Sequence, residues 1–157
     1  ESPFIIQEHQ FLRIKALLHK LCVESAARVV FLVDRDGQTI AVHGEIGDMD
    51  TTSFSSLAAG NVAATNSMAK LLGEDIFPTV VHEGERESIY ICVIGRSLLV
   101  LVFDDRSTLG LVKLRTKKAS HELAAILQDV AVDSESHRTQ NTFFAEITDE
   151  DIDSLFS

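Results

Sequence analysis

His19 and Cys22 stand three residues apart in helical sequence, a spacing that sets an imidazole and a thiol on one face and could begin a zinc site. Two ligands do not complete one, and a partly covered histidine is the better reading. His82-Glu83 lacks the second histidine that a metalloprotease helix needs, and it lies in strand-like sequence. No GxxxxGK[ST] run exists to cradle nucleotide phosphates, and Gly44-Glu45-Ile46-Gly47 is not a dinucleotide fingerprint. A GxSxG elbow is likewise absent. Cys22 and Cys92 are too few and too far apart for a disulfide scaffold. Both sit inside apolar runs without a convincing histidine partner, so they read as buried, reduced thiols. The sequence therefore offers no catalytic constellation, metal set or cofactor motif. Its chemistry is that of recognition.

The recognition signal is SLAAGNVAATNSMAKLL, residues 56–72, in which Lys70 is the only charge. The preceding charge is Asp50, so residues 51–69 carry none. A surface helix ordinarily wears Glu, Lys and Arg on its wet side. On a wheel at about 100° per residue, Phe54, Leu57, Val62, Met68, Leu71 and Leu72 gather on one half, expected to face a sheet. The other half holds Ser56, Ala59, Gly60, Ala63, Asn66, Ser67 and Lys70. These side chains are small enough for another backbone to approach closely. Gly60 costs about 1 kcal/mol relative to alanine inside a helix, so it needs a compensating contact. Two readings stand: a helix buried within one domain, or a platform for other proteins. The platform is favoured because no further element remains to cover the outer half. One flank would then meet a second copy and the outer face another partner.

The elements that position this helix follow from patterning. With 157 residues, 45 % of them apolar, the chain suits one domain with a real core. Residues 7–25 carry an amphipathic stripe of Phe11, Ile14, Leu18 and Leu21, with Leu17 and Cys22 beside it. RVVFLVD (28–34) and QTIAVHG (38–44) flank an Asp36-Gly37 turn, a hairpin signature. After the uncharged helix come IFPTVVHE (76–83), ESIYICVIG (87–95) and SLLVLVFD (97–104). SLLVLVF is apolar on both faces and belongs mid-sheet, whereas Pro78 confines its strand to an edge or to its first residues. A last helix spans about residues 107–132, with Leu109, Val112, Leu123, Ile126, Leu127 and Val130 inward. The order is αββαβββα: an α/β sandwich, with a five-stranded antiparallel sheet and helices on both faces.

Net charge is −10, which argues against nucleic acid or an anionic membrane as partner. No basic-then-apolar leader opens the sequence and its longest uncharged run is rich in Ser, Thr and Asn, pointing to a cytoplasmic protein without membrane insertion. From Asp133 onward seven acids face one base, so the tail differs in kind from the body. The expected division is a domain over 7–132, a flexible linker over 133–142 and a docking segment over 143–157. Within the last, Thr148 and Asp151 resemble a capping box and Ile147 and Ile152 fall at staple positions, encoding a short helix from Asp149 to Phe156. About eight residues do not persist as a helix alone in water. Phe143, Phe144, Ile147, Ile152, Leu155 and Phe156 therefore read as the apolar side of a reversible docking helix, for a partner or for its own domain.

VVFLVDRDGQTIA (29–41), DTTSFSSLAAGNVAATNSMAKLLGE (50–74) and LGLVKLRTKKASHEL (109–123), in this element order, resemble the roadblock/LC7 family over residues 8–130. EITDEDIDSLF (146–156) resembles the tail of its bacterial branch. The resemblance implies a homodimer whose sheets join edge to edge with the central helices side by side. It implies further that two copies receive one Ras-like small GTPase and speed its hydrolysis by positioning the GTPase's own catalytic residues. Such a protein is not itself an enzyme, and it acts in bacterial polarity or gliding motility, in the cytoplasm or at a cell pole. Ala59, Ala63, Ser67 and Lys70 become the contact residues. Arg28, Arg96, Arg106 and Arg115 are the candidates for a finger supplied in trans, a mechanism ranked below reorganisation of the GTPase. A scaffold that localises a GTPase without changing its rate would use the same surface.

Overall fold

The computed structural model describes residues 5–145, with side-chain surroundings as far as residue 135. The elements are α1 (Glu8–Ser25), β1 (Val29–Asp34), β2 (Thr39–Gly44), α2 (Thr51–Leu71), β3 (Thr79–Glu83), β4 (Ser88–Ile94), β5 (Ser97–Phe103) and α3 (Leu109–Ala145). The strands form one antiparallel sheet in the order β2-β1-β5-β4-β3. β5 lies at its centre with all seven residues buried, as its two-sided apolar sequence requires. β3 begins directly after Pro78 and occupies an edge, where a missing donor costs no ladder bond.

Strand alternation deals side chains to two cores. Val30, Leu32, Leu99 and Leu101 meet Ile14, Leu18, Val112 and Leu123 beneath α1 and α3. Val29, Phe31, Leu98 and Val100 meet Ala58, Ala59 and Val62 beneath α2. The Asp36-Gly37 turn closes the first hairpin: the Asp34 carboxylate accepts the Asp36 amide at 3.0 Å and the Asp34 carbonyl accepts Gly37 at 2.8 Å. Cys22 and Cys92 are free thiols, buried and half-buried.

Gly44 ends β2 at φ +127°, and a Cβ there would stand 2.3 Å from the Arg28 carbonyl oxygen. Neither the torsion nor the space suits a side chain. Gly44→Ala is expected to cost at least about 2 kcal/mol and several degrees in Tm, measured by thermal unfolding. An unchanged midpoint would contradict the packing at this end of the sheet.

Two expectations are corrected. Phe11 leaves the buried stripe of α1, and Gln10 is buried in its place. The linker expected over 133–142 is instead helical, because α3 continues unbroken to Ala145. The cause is local. The segment has no Gly or Pro to stop a helix, and its first turn is held to the N-terminal region. Gln10 Nε2 donates to Asp133 Oδ2 at 2.8 Å, and buried Ser134 exchanges two hydrogen bonds with the backbone of Ile5, at 3.0 and 3.1 Å. Phe143 and Phe144 lie in the last turn of α3, while Ile147, Ile152, Leu155 and Phe156 fall outside the described residues. No helix among the described residues is long and apolar enough to cross a membrane.

Candidate functional site

α2 starts where its sequence provides a cap. The Asp50 carboxylate accepts the Ser53 amide at 3.1 Å and the Ser53 hydroxyl at 2.6 Å, which holds the Asp50 carboxyl below its ordinary range. At the other end the Gly73 amide reaches back to the Lys70 carbonyl, closing the helix.

The rotation of α2 about its axis is not the one its bulky residues suggest. Ser55, Ala58, Ala59, Val62 and Ala69 face the sheet. Leu57, Met68, Leu71 and Leu72 are 73 %, 60 %, 87 % and 73 % exposed. The reason lies in the strands. Val29, Phe31, Leu98 and Val100 already fill the layer under the helix, so only small helix residues let α2 seat on it. Phe54 alone of the aromatic residues reaches in, its ring 4.8 Å from that of Phe31. The large apolar side chains are thereby left outside.

Two uncovered strips result. Ser56, Gly60, Ala63, Ser67 and Lys70 are exposed and recur at spacings of four and three, so five of the seven expected contact residues share one surface. A Cβ at Gly60 would meet nothing within 4 Å, so no contact among the described residues explains that glycine. The Ser67 hydroxyl donates to the Ala63 carbonyl at 3.2 Å, so this strip presents little unmet polarity. The other two residues differ. Ala59 is buried on the sheet side, which removes it from the outer surface. Asn66 is half-buried, with an enclosed Oδ1 that has no hydrogen-bond partner among the described residues.

The second strip runs Leu57, Asn61, Ala64, Met68, Leu71, again at four-three spacing. It overhangs a groove of about 380 Å³ lined by Phe54, Leu57, Asn61, His82, Ile89 and Ile91. His82 and Ile89 belong to β3 and β4, so this strip looks toward the β3 edge. The helical wheel assigns these side chains to the core. Their seam-like spacing is the signal for an exposed role, and it competes with a wheel on which bulk stands for burial.

The two sheet edges are not equivalent. Among the described residues β3 pairs with β4 alone, as β2 does with β1. Along β2, the Lys15 ammonium donates to the Val42 carbonyl, and a lysine on an edge discourages further strand pairing.

Two of the four arginines considered as fingers, Arg28 and Arg106, are committed to carboxylates. Arg106 forks onto both oxygens of Glu45 at 3.1 and 3.2 Å and also reaches Asp104 at 3.0 Å. Its hydrogen bonds to Glu45 and then to Asp104 raise its pKa further above the ordinary guanidinium value, and the same hydrogen bonds lower both carboxyls. Arg28 bonds Glu87 and the Glu45 carbonyl, each at 3.1 Å. Burial pushes the Cys22 and Cys92 thiols up, away from nucleophilic thiolates. Among the described residues no three His, Cys, Asp or Glu side chains are grouped to hold a metal ion.

His19 Nδ1 and His43 Nε2 lie 2.9 Å apart, joining α1 to β2 by one shared proton. Burial, then His19 and Lys15, lower the His43 pKa. His43 in the unfolded chain, titrating near 6.5, therefore takes up an additional proton more readily than it does in the fold. Stability should be complete above that value and fall as pH drops through it. Thermal scans from pH 7.5 to 5 are expected to show this loss and to show less of it in His43→Gln. Equal pH dependence in the two proteins would remove His43 as its source.

The Roadblock/LC7 domain model matches residues 14–103. No curated protein matches the chain. Among solved structures, Myxococcus xanthus MglB is 47 % identical, covering 80 % of this chain and 96 % of its own, with a TM-score of 0.76. The gliding protein MglB of Thermus thermophilus is 38 % identical, covering 82 % and 98 %, with a TM-score of 0.77. An MglB described with a tetrameric arrangement is 36 % identical, covering 83 % and 98 %, with a TM-score of 0.78.

Proposed function

The chain belongs to the Roadblock/LC7 family, and from that premise we propose that it is an MglB-like homodimeric regulator that binds a Ras-like small GTPase of the MglA type and accelerates its GTP hydrolysis. The observation that carries the reading is the pair of uncovered, nearly charge-free strips on α2. One is apolar and points toward an unpaired strand edge; the other is small and flat.

The apolar strip suits a second copy. Two chains of net −10 repel, so they associate best across a surface without acids, and residues 51–69 have none. Leu57, Met68 and Leu71 from each copy contribute roughly 1.5–3 kcal/mol apiece on full burial. Association itself costs roughly 4–15 kcal/mol, a range that overlaps this gain, and β3 joining β3 adds the margin. The two small strips then lie side by side as one floor, which receives the GTPase with two activator copies to one partner. Contact residues in this account are Ser56, Gly60, Ala63, Ser67 and Lys70, with Asn66 at the margin. Arg28 and Arg106 are held by carboxylates, which favours reorganisation of the GTPase's own residues over an arginine supplied in trans. The setting is bacterial polarity or gliding motility, at a cell pole.

Single-turnover GTP hydrolysis by an MglA-type GTPase, with and without this protein, tests the proposal. Acceleration supports it. Binding without acceleration makes the protein a scaffold, and absence of binding overturns the assignment of the platform.

The acidic segment 143–157 is assigned to a basic groove on the GTPase away from its nucleotide. Deleting it should leave the dimer intact and weaken the GTPase complex several-fold, with the difference growing as salt falls. Isothermal titration at two ionic strengths measures this; unchanged affinity would assign the segment to packing on its own chain.

A further inference from the structure

We infer that Asn61 fixes the register in which two copies of α2 meet; the inference rests on the dimer proposed above. The apolar strip reads Leu57, Asn61, Ala64, Met68, Leu71, and Asn61 is its one polar member. The other four are aliphatic or thioether side chains that substitute for one another if one helix slides along the second. An apolar seam of this kind, spaced like the core of a coiled coil, specifies association without specifying alignment. Asn61 breaks that degeneracy. Its Oδ1 is turned inward and has no hydrogen-bond partner among the described residues, so rotating the amide about its last bond brings that acceptor to the seam without breaking a bond the oxygen already makes. The residue is only half-buried and lines the groove beside His82 and Ile89.

Closing the seam removes the remaining water. An amide left unpaired there is penalised, whereas one facing a complementary group is not. The strip offers a single complementary amide, the Asn61 of the second copy, so the registers that align the two residues are favoured over those a turn away. A specific register sets how far apart the two Ser56–Lys70 strips lie, and so whether one GTPase fits both. Asn61 thus acts as a positioning residue for the partner surface, with no need to touch the partner.

The experiment uses the full chain, carrying a spin label at Glu74→Cys just beyond α2, with the unsubstituted protein labelled in parallel to define the background from Cys22 and Cys92. Sedimentation gives the oligomeric state and pulsed dipolar spectroscopy the distance between labels. With Asn61 present, a dimer with one narrow distance is expected. Asn61→Leu is expected to remain dimeric while the distance broadens or divides, and GTPase affinity drops. Asn61→Asp places a carboxylate from each copy at the seam and should weaken the dimer roughly a hundredfold or more at pH 7.5, with recovery near pH 4 as the acids protonate. A dimer of Asn61→Leu with the same single distance would overturn the register role, as would an Asn61→Asp dimer indifferent to pH. A monomeric parent protein would instead overturn the dimer on which the role rests.

Discussion

Ala63→Arg is expected to abolish GTPase binding while leaving both the fold and the dimer intact. Ala63 is exposed in the middle of the small strip, between Gly60 and Ser67. Because Ala63 is exposed, a guanidinium there can stay in water, so stability should change by less than about 0.5 kcal/mol. Against a second protein it stands on a floor whose value is flatness, and it adds a charge and four rotatable bonds. Affinity should fall at least about a hundredfold, roughly 2.7 kcal/mol. Ser67→Arg should behave alike. Ala59→Arg is the instructive contrast. Ala59 packs among Val29, Phe31 and Val100, so arginine there should unfold the domain rather than disarm it. A sizing column, a thermal melt and a pull-down distinguish the three variants. Full GTPase binding by Ala63→Arg and Ser67→Arg would remove the small strip from consideration.

Met68→Asp should separate the copies. Met68 is 60 % exposed, and its substitution costs the isolated chain little. In the proposed seam it buries a carboxylate against another apolar helix, a cost of several kcal/mol without a partner. The dimer constant should weaken by roughly two orders of magnitude or more. GTPase binding should fall with it, because the receiving floor is built from two copies. Leu57→Asp should act similarly. Coupling between the two losses is the informative part: Ala63→Arg loses the GTPase and keeps the dimer, whereas Met68→Asp loses both. Analytical ultracentrifugation over a dilution series reads the first quantity and titration with GTPase the second.

The sheet was legible because its signals are local. Apolar runs, the Asp36-Gly37 turn and Pro78 placed the strands, and SLLVLVF placed β5 at the centre. The orientation of α2 was not legible, because it depends on the sheet beneath it. Val29, Phe31, Leu98 and Val100 come from strands far apart in sequence, and only their summed bulk explains why Ala58, Ala59 and Ala69 point inward. Of the seven small residues the wheel placed outside, five are exposed, while Ala59 faces the sheet and Asn66 is half-buried, since small residues occupy two sides of the helix. The apolar strip was misread for the same reason. Residues 133–142 looked like a linker by composition, and the contacts that continue α3 there, Gln10 with Asp133 and Ile5 with Ser134, bridge more than a hundred residues. Composition is blind to such contacts.

The most direct measurement is light scattering on a sizing column, for this protein alone and with an MglA-type GTPase loaded with a non-hydrolysable GTP analogue. For a chain of 17.3 kDa, the account predicts the mass of two chains alone and of two chains plus one GTPase in the complex. A single chain in both runs, with the GTPase eluting apart, would contradict it.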